Sequence, residues 1–458
     1  MITYKEFLST KKTRAKSSGF KADVPDFLYP FQRHIVKWAL ERGRAAIFAD
    51  CGLGKTPMQL VWGDCVAAHT GKPVLIVAPL AVSNQTQREG QKFGISVMLC
   101  RGQSDMQSGV NITNYEMLRH FEPGGLGGLV LDESSILKNM DGTYRKELTK
   151  FAQQIPYRLA CTATPAPNDL VEIINHSEFL GHMDGKEVIA LFFRQDGNTT
   201  HAWRIKGHAR RDFWAWLASW AVAVRAPSDL GYDDGMFVLP PLHYVQHIVD
   251  GHIEDGWLFP IEAHSMQDRR QARKESIDMR VAMCAELANN SAEPWLMWCG
   301  LNAESDALRR AIPDAIEVKG SDANEHKTDA MLGFSEGRYR VLVTKPSIAG
   351  FGMNWQHCRH MAFVGLSDSF EQFYQATRRC WRFGQTKEVT AHVVVADTEG
   401  AVVQNIERKE QNAAMMMIEL VNHMGEHYRR YTGGQEYEGR ERIVLPAWIQ
   451  HEEKAANG

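Results

Sequence analysis

The apolar positions fall into two series of short runs, and the polar residues gather where each run ends. In the first series Ala45-Ala46-Ile47-Phe48 leads into a glycine-rich turn and then a helical pattern over 57–68. Pro73-Val74-Leu75-Ile76-Val77-Ala78-Pro79 reads as a buried parallel strand stopped by proline. Segments 99–101, 110–115, 128–133 and 157–165 repeat that design. Strands alternating with helical patterns predict an open parallel sheet whose active groups sit at the carboxyl ends of the strands. A second series follows, with strands expected at 294–298, 316–318, 340–344, 361–364 and 389–395 and helices at 305–312, 327–334, 370–382 and 401–424. The expected fold is therefore α/β, with two lobes in tandem.

Residues 181–240 break this rhythm. Trp203, Trp214, Trp216 and Trp220 alternate there with Arg194, Arg204, Lys206, Arg210 and Arg211, and the stretch ends in Leu239-Pro240-Pro241. It reads as a partly helical inter-lobe insertion closed by a linker. The expected divisions are a basic tail (1–22), lobe one (23–180), the insertion (181–240), lobe two (241–425) and an appendage (426–458).

A net charge of −3 over 458 residues means that any grip on nucleic acid must come from local basic patches. Eight cysteines without a C-x-x-C pair point to reduced thiols and away from a zinc framework. The first residues carry lysines but no apolar core of a signal peptide, and no run approaches the roughly 18 apolar residues of a membrane span. The expected location is cytoplasmic.

Three constellations carry chemistry. Ala49-Asp50-Cys51-Gly52-Leu53-Gly54-Lys55-Thr56 links a strand to a helix, which is the build of a phosphate cradle. Lys55 would reach the β- and γ-phosphates and Thr56 would hold Mg²⁺. Asp132-Glu133, ending a later strand, would hold the metal through its waters and position the attacking water. Gln375, Arg379 and Arg382, spaced four and three apart, would share one helix face, and like charges so placed repel unless an anion lies beside them. Presented to a γ-phosphate from another lobe, they would act as arginine fingers.

With these residues in place, the sequence resembles the superfamily-two helicases, and among them the Swi/Snf-type double-stranded-DNA translocases in their compact phage and prokaryotic form. Tyr29-Pro30-Phe31-Gln32 is similar to their adenine-reading motif, and 50–56 to motif I. Segments 75–79 and 112–118 resemble motifs Ia and Ib, Leu131-Asp132-Glu133-Ser134-Ser135 motif II, and 162–165 with Asn168 motif III. Residues 349–354 resemble motif V, and Gln375 to Gln385 motif VI. The resemblance implies two RecA-like lobes with ATP and Mg²⁺ between them. It assigns nucleotide contacts to Gln32, Gly52, Leu53, Gly54, Lys55, Thr56, Gly352 and Gln375, metal binding to Thr56 and Asp132, and catalysis to Lys55, Asp132, Glu133, Arg379 and Arg382.

It also places a DNA strand, read without sequence preference, across Pro79, Ser83, Asn84, Asn114, Tyr115, Thr344 and Lys345. The alternating indoles and charges add Arg204 and Lys206 to that path as a stacking platform. Duplex DNA is the expected partner, with replication or recombination proteins beside it. Two departures stand out. Motif I is one residue shorter than in the large chromatin remodellers, and motif II ends Ser-Ser in place of Ala-His, which bears on the coupling between lobes. Two alternatives stay open: a strand-separating helicase on single-stranded or branched DNA or RNA, and a DNA clamp of weak ATPase activity.

Overall fold

The computed structural model describes residues 17–431, except 139–141, 167–168, 196–202, 251–270, 272, 350–352 and 368. The first half contributes β1 (Arg44–Ala49), β2 (Val74–Ala78), β3 (Val97–Leu99), β4 (Val110–Asn114), β5 (Gly128–Asp132) and β6 (Tyr157–Thr162). An antiparallel ribbon follows, β7 (Phe193–Gln195) with β8 (Trp203–Ile205), and then β9 (Ala221–Val224). Seven of these form one parallel sheet in the order β3-β4-β2-β5-β6-β1-β9. The second half supplies β10 (Leu242–Val249), β11 (Trp295–Cys299), β12 (Ala315–Glu317), β13 (Val341–Thr344), β14 (His360–Val364) and β15 (Val389–Ala396). They form a second parallel sheet, β10-β15-β14-β11-β13-β12. The central strands are continuous apolar runs because helices cover both faces.

Five helices matter for the site: α1 (Pro30–Arg42), α2 (Lys55–Thr70), α3 (Leu80–Lys92), α4 (Phe370–Thr377) and α5 (Gly400–Tyr431). Register sets the geometry of lobe one. Asp132 lies opposite Cys161, and Phe48 lies opposite Thr162. The acids after β5 and the loop after β1 therefore leave the sheet at one edge, two strand spacings or about 10 Å apart.

Three expected boundaries take a different form. Segment 181–240 does not stand apart between the lobes: β9 pairs with β1, and Trp214, Trp216 and Trp220 are buried in lobe one's core. Trp214 also stacks on His423 of α5, at 5.2 Å between ring centres. The indole platform expected for nucleic acid is thus corrected, since apolar rings of that size gain more from burial than from water. Phe20, inside the expected tail, is wedged between His69 and Tyr157. Finally, α5 is no private part of lobe two. Val402 and Ile406 pack in lobe two, whereas Met417, Leu420, Val421 and Met424 pack in lobe one. One helix thus spans both lobes.

Candidate functional site

Between the lobes lies a cleft of about 560 Å³, lined by the loop after β1, the acids after β5 and the residues following α4. On the lobe-one side, the loop takes its shape from Gly52 (φ 88°) and Gly54 (φ 77°), a conformation that residues with a Cβ rarely adopt. A Cβ on Gly54 would displace the Gln32 amide from its place against the loop. Gln32 fixes this loop to α1. Its Oε1 accepts from Tyr29 N–H (3.0 Å) and its Nε2 donates to Leu53 O (2.9 Å).

Lys55 begins α2 and donates from Nζ to Ala49 O (2.9 Å) and Asp50 O (3.4 Å), which holds its ammonium over the loop. One helical turn later Gln59 donates to Asp132 Oδ1 (2.7 Å). Glu133 N–H donates to that same oxygen (3.1 Å). Glu133 itself has φ 52°, the one non-glycine positive φ among the described residues. Such strain costs on the order of 1–3 kcal/mol and collects at functional sites. Burial pushes the Glu133 carboxyl up to about 7, with Lys55 opposing and Asp132 adding to the shift. Burial raises Asp132 as well, against the pull of the Gln59 amide and Lys55.

The lobe-two wall is made of side chains. Gln375 is fully buried; its Oε1 accepts from Arg379 Nη2 (2.9 Å) and its Nε2 donates to Glu133 Oε2 (3.4 Å) across the cleft. Arg379 also donates to Gln375 O and Met353 O, and Arg382 to Met353 O. Burial lowers both guanidinium pKa values, Arg382 to about 10, and Arg379 presses it further. The Arg382 Nε has no hydrogen-bond partner among the described residues. Two adjacent like charges, Arg379 buried and Arg382 half-buried with an unused donor, fit a polyanion.

The common helix face expected for Gln375, Arg379 and Arg382 does not form. Helix α4 ends at Thr377, and the chain tightens into i to i+3 bonds (Arg379 N–H to Ala376 O, Cys380 N–H to Thr377 O). Both arginines reach the cleft from turns. Thr56, Gly52 and Gly54 line it too, and Leu53 is buried beneath. Gly352 and Asn168 lie outside the described residues.

The nucleic-acid candidates divide. Ser83 is buried on the inner face of α3, and Thr344 is buried with its hydroxyl donating to Val318 O. Tyr115 is buried and donates to Asp132 O (2.7 Å). Tyr115 and Thr344 are corrected: they sit inside or directly beneath the sheet edge, and their hydroxyls are taken up by backbone carbonyls. The buried Ser83 hydroxyl has no hydrogen-bond partner among the described residues. Asn114 caps the short helix at 115–120, accepting from Met117 N–H (3.0 Å). Pro79 caps α3, and of the Asn84 side chain nothing is described. Lys345 donates to Asn302 Oδ1 and lines, with Arg273, a smaller hollow of about 190 Å³ at lobe two's carboxyl edge. Arg204 is exposed on the β7–β8 ribbon, and Lys206 beside it donates to Ala190 O.

Several site residues had no role assigned from sequence. Gln59 had a signal, standing one helical turn after Lys55. Ser135 Oγ donates to Glu371 Oε1 (2.6 Å) across the lobes, while Ser134 pairs with His176. The altered end of motif II thus makes a lobe-to-lobe bond of its own. Phe237, from 181–240, packs on Phe383 of lobe two (4.9 Å) and on Tyr29 (5.0 Å), giving the cleft an aromatic end.

Residues 31–188 match the SNF2-related domain, and residues 282–384 match the helicase conserved C-terminal domain. A chromodomain-helicase-DNA-binding protein 3 homolog of Caenorhabditis elegans is 27% identical over 227 residues, 38% of this chain and 13% of that protein. SWI/SNF-related matrix-associated actin-dependent regulator of chromatin subfamily A-like protein 1 of Xenopus tropicalis is 28% identical over 159 residues, 32% of this chain and 16% of that protein. The chain thus spans a small fraction of the length of these curated relatives. A solved SWI2/SNF2 ATPase core of Sulfolobus solfataricus, in complex with dsDNA, aligns with 84% of this chain and 90% of its own at 17% identity. Its TM-score of 0.40 is too low to add weight. The two domain matches cover more than half of the chain and follow the order of its two sheets, and the chain belongs to the SNF2-related helicase family.

Proposed function

We propose that the chain is an ATPase stimulated by duplex DNA, coupling hydrolysis in the inter-lobe cleft to movement along DNA without sequence preference. The observation that carries this reading is the convergence of Lys55, Asp132 and Glu133 from one lobe with Arg379 and Arg382 from the other on one cleft. Lys55 and the loop amides would bind the triphosphate. Glu133 would accept a proton from, and orient, the attacking water, and its raised pKa matches a base working near neutrality. Arg379 and Arg382 would offset charge on the transferred phosphoryl group, and Gln375 would hold Arg379 to Glu133 so that both act together.

Thr56 and Asp132 would hold Mg²⁺. A hydroxyl and a carboxylate are hard oxygen donors, a set that fits a cation bringing phosphate and water oxygens of its own. Both side-chain hydrogen bonds found for Asp132 fall on one oxygen, Oδ1. The metal would supply charge neutralisation between the phosphates. Because the cleft joins both lobes, a nucleotide that favours the closed arrangement biases their relative position, and a strand held by both would be moved.

ATPase rates with duplex DNA, single-stranded DNA and RNA test this. Stimulation by duplex DNA supports translocation, and stimulation by single strands or RNA alone replaces it with strand separation. Binding without turnover on any polymer would make the chain a clamp. Among the described residues no helix is long and apolar enough to cross a membrane.

A further inference from the structure

Arg378 has no part in the roles given above, yet it reaches across the cleft. Its guanidinium lies 4.2 Å from the Trp381 ring centre and 4.9 Å from that of Tyr374. Its Nη2 stands 3.1 Å from Asp50 Oδ2, and both side chains are largely shielded from solvent. The Tyr374 hydroxyl donates to the other carboxylate oxygen, Asp50 Oδ1, which also accepts from Cys51 N–H at 2.6 Å. A flat guanidinium set against two rings has little freedom to choose another partner.

Asp50 is the residue at which β1 becomes the phosphate loop. Its side chain is held by lobe two, and its carbonyl accepts from Lys55. Close by, a Cβ on Gly52 would meet the Phe383 backbone nitrogen at 2.8 Å, so lobe two also rests directly on the loop. Asp50 and Gly52 are therefore held from across the cleft, and Cys51 between them is tied to the Asp50 carboxylate. Salt screens an ion pair less when it is shielded from water, so this tie should outlast moderate ionic strength.

We propose that Arg378 is a positioning residue: by clamping Asp50 against Tyr374 it registers lobe two on the phosphate loop, so that cleft closure and the shape of the cradle are set by one contact. The inference rests on the reading of the cleft as a site of ATP hydrolysis. Arg378 acts through Asp50, and Lys55 with the loop amides still binds phosphate without it. Its loss therefore slows turnover more than it weakens nucleotide binding.

The test uses the full chain with duplex DNA, measuring ATPase kinetics and amide hydrogen exchange over residues 50–54. For Arg378→Gln, kcat falls about tenfold or more while KM moves less than about threefold, and exchange over 50–54 rises. Arg378→Lys keeps the charge without the flat stacking face and recovers part of the rate. A wild-type kcat with unchanged exchange overturns the proposal, and so does a KM that rises by the whole loss in kcat/KM. Should Arg378→Gln not fold, Tyr374→Phe decides, since it removes one oxygen. A lowered kcat with faster loop exchange supports the clamp, and wild-type values overturn it. Lys55→Ala in the same assay keeps the two readings separate. If it still turns over, the hydrolysis reading fails; if it is inactive while Arg378→Gln is wild-type, only the clamp fails.

Discussion

The two walls of the cleft are built by opposite means. Lobe one's wall is backbone: two glycines and Glu133 at positive φ, a helix N-terminus, and carbonyls that hold Lys55. Lobe two's wall is long side chains on turns beyond α4, Arg378, Arg379 and Arg382, with Gln375 of α4 buried behind them. A backbone wall keeps its shape unless the elements around it unfold, whereas a side-chain wall is withdrawn whole when its lobe moves. On the proposed reading, lobe one would fix where phosphate sits, and lobe two would fix when charge meets it. The two meet at the Ser135–Glu371 and Gln375–Glu133 bonds and where Arg378 and Tyr374 hold Asp50.

The largest expected effect breaks the fixed wall. Lys55→Ala removes the ammonium held over the loop, and turnover should fall by about 10³-fold or more with nucleotide binding weakened as well. Steady-state ATPase and nucleotide titration check this, with circular dichroism to confirm the fold. Arg382→Ala breaks the movable wall instead. It should cost about 10³-fold in kcat with nucleotide binding retained. Equal losses of binding in both variants would dissolve the distinction between the walls.

Acidity gives a smaller effect. Glu133, with its pKa raised to about 7, must be ionised to accept a proton, so kcat should climb about tenfold from pH 6 to pH 8. Stability moves the other way. A carboxyl whose folded pKa lies above its ordinary 4.5 contributes stability fully below that value, and the contribution is lost as pH rises through about 7. Glu133→Gln should therefore be inactive and should lose that part of the decline in melting temperature between these limits. A pH–rate profile and parallel thermal melts read both.

Most of lobe one was legible in the sequence because its wall is backbone, and backbone geometry leaves local marks. A short strand, two glycines and Lys-Thr announce the loop, and Asp132-Glu133 ends an apolar run. The second wall was half legible. Arg379 and Arg382 stand out by their spacing, but the helix expected through to Arg382 ends at Thr377, and no spacing marks Arg378. Its partners Asp50 and Trp381 lie in different lobes, and no local pattern links Asp50 to position 378. The same reason explains β9, whose Ala-Val-Ala-Val is too short and too small to read as a strand without β1 beside it. It also explains Tyr115 and Thr344. A polar residue at a strand end looks available to a ligand, and only packing shows that its hydroxyl faces inward.

The smallest effect isolates the backbone character of lobe one's wall. Glu133→Gly and Glu133→Ala both remove the carboxylate, so they differ only in a Cβ at φ 52°. At an ordinary φ the alanine variant is the more stable, by about 0.4–1 kcal/mol, because glycine gains more freedom on unfolding. At a left-handed position the Cβ costs about 1–2 kcal/mol, which outweighs that term. The glycine variant should therefore melt higher than the alanine variant, by a margin of a few tenths to about 1 kcal/mol. The sign alone decides. If alanine melts higher, the residue relaxes once its carboxylate is gone, and the strain belongs to contacts with Asp132 and Gln375 rather than to the turn leaving β5.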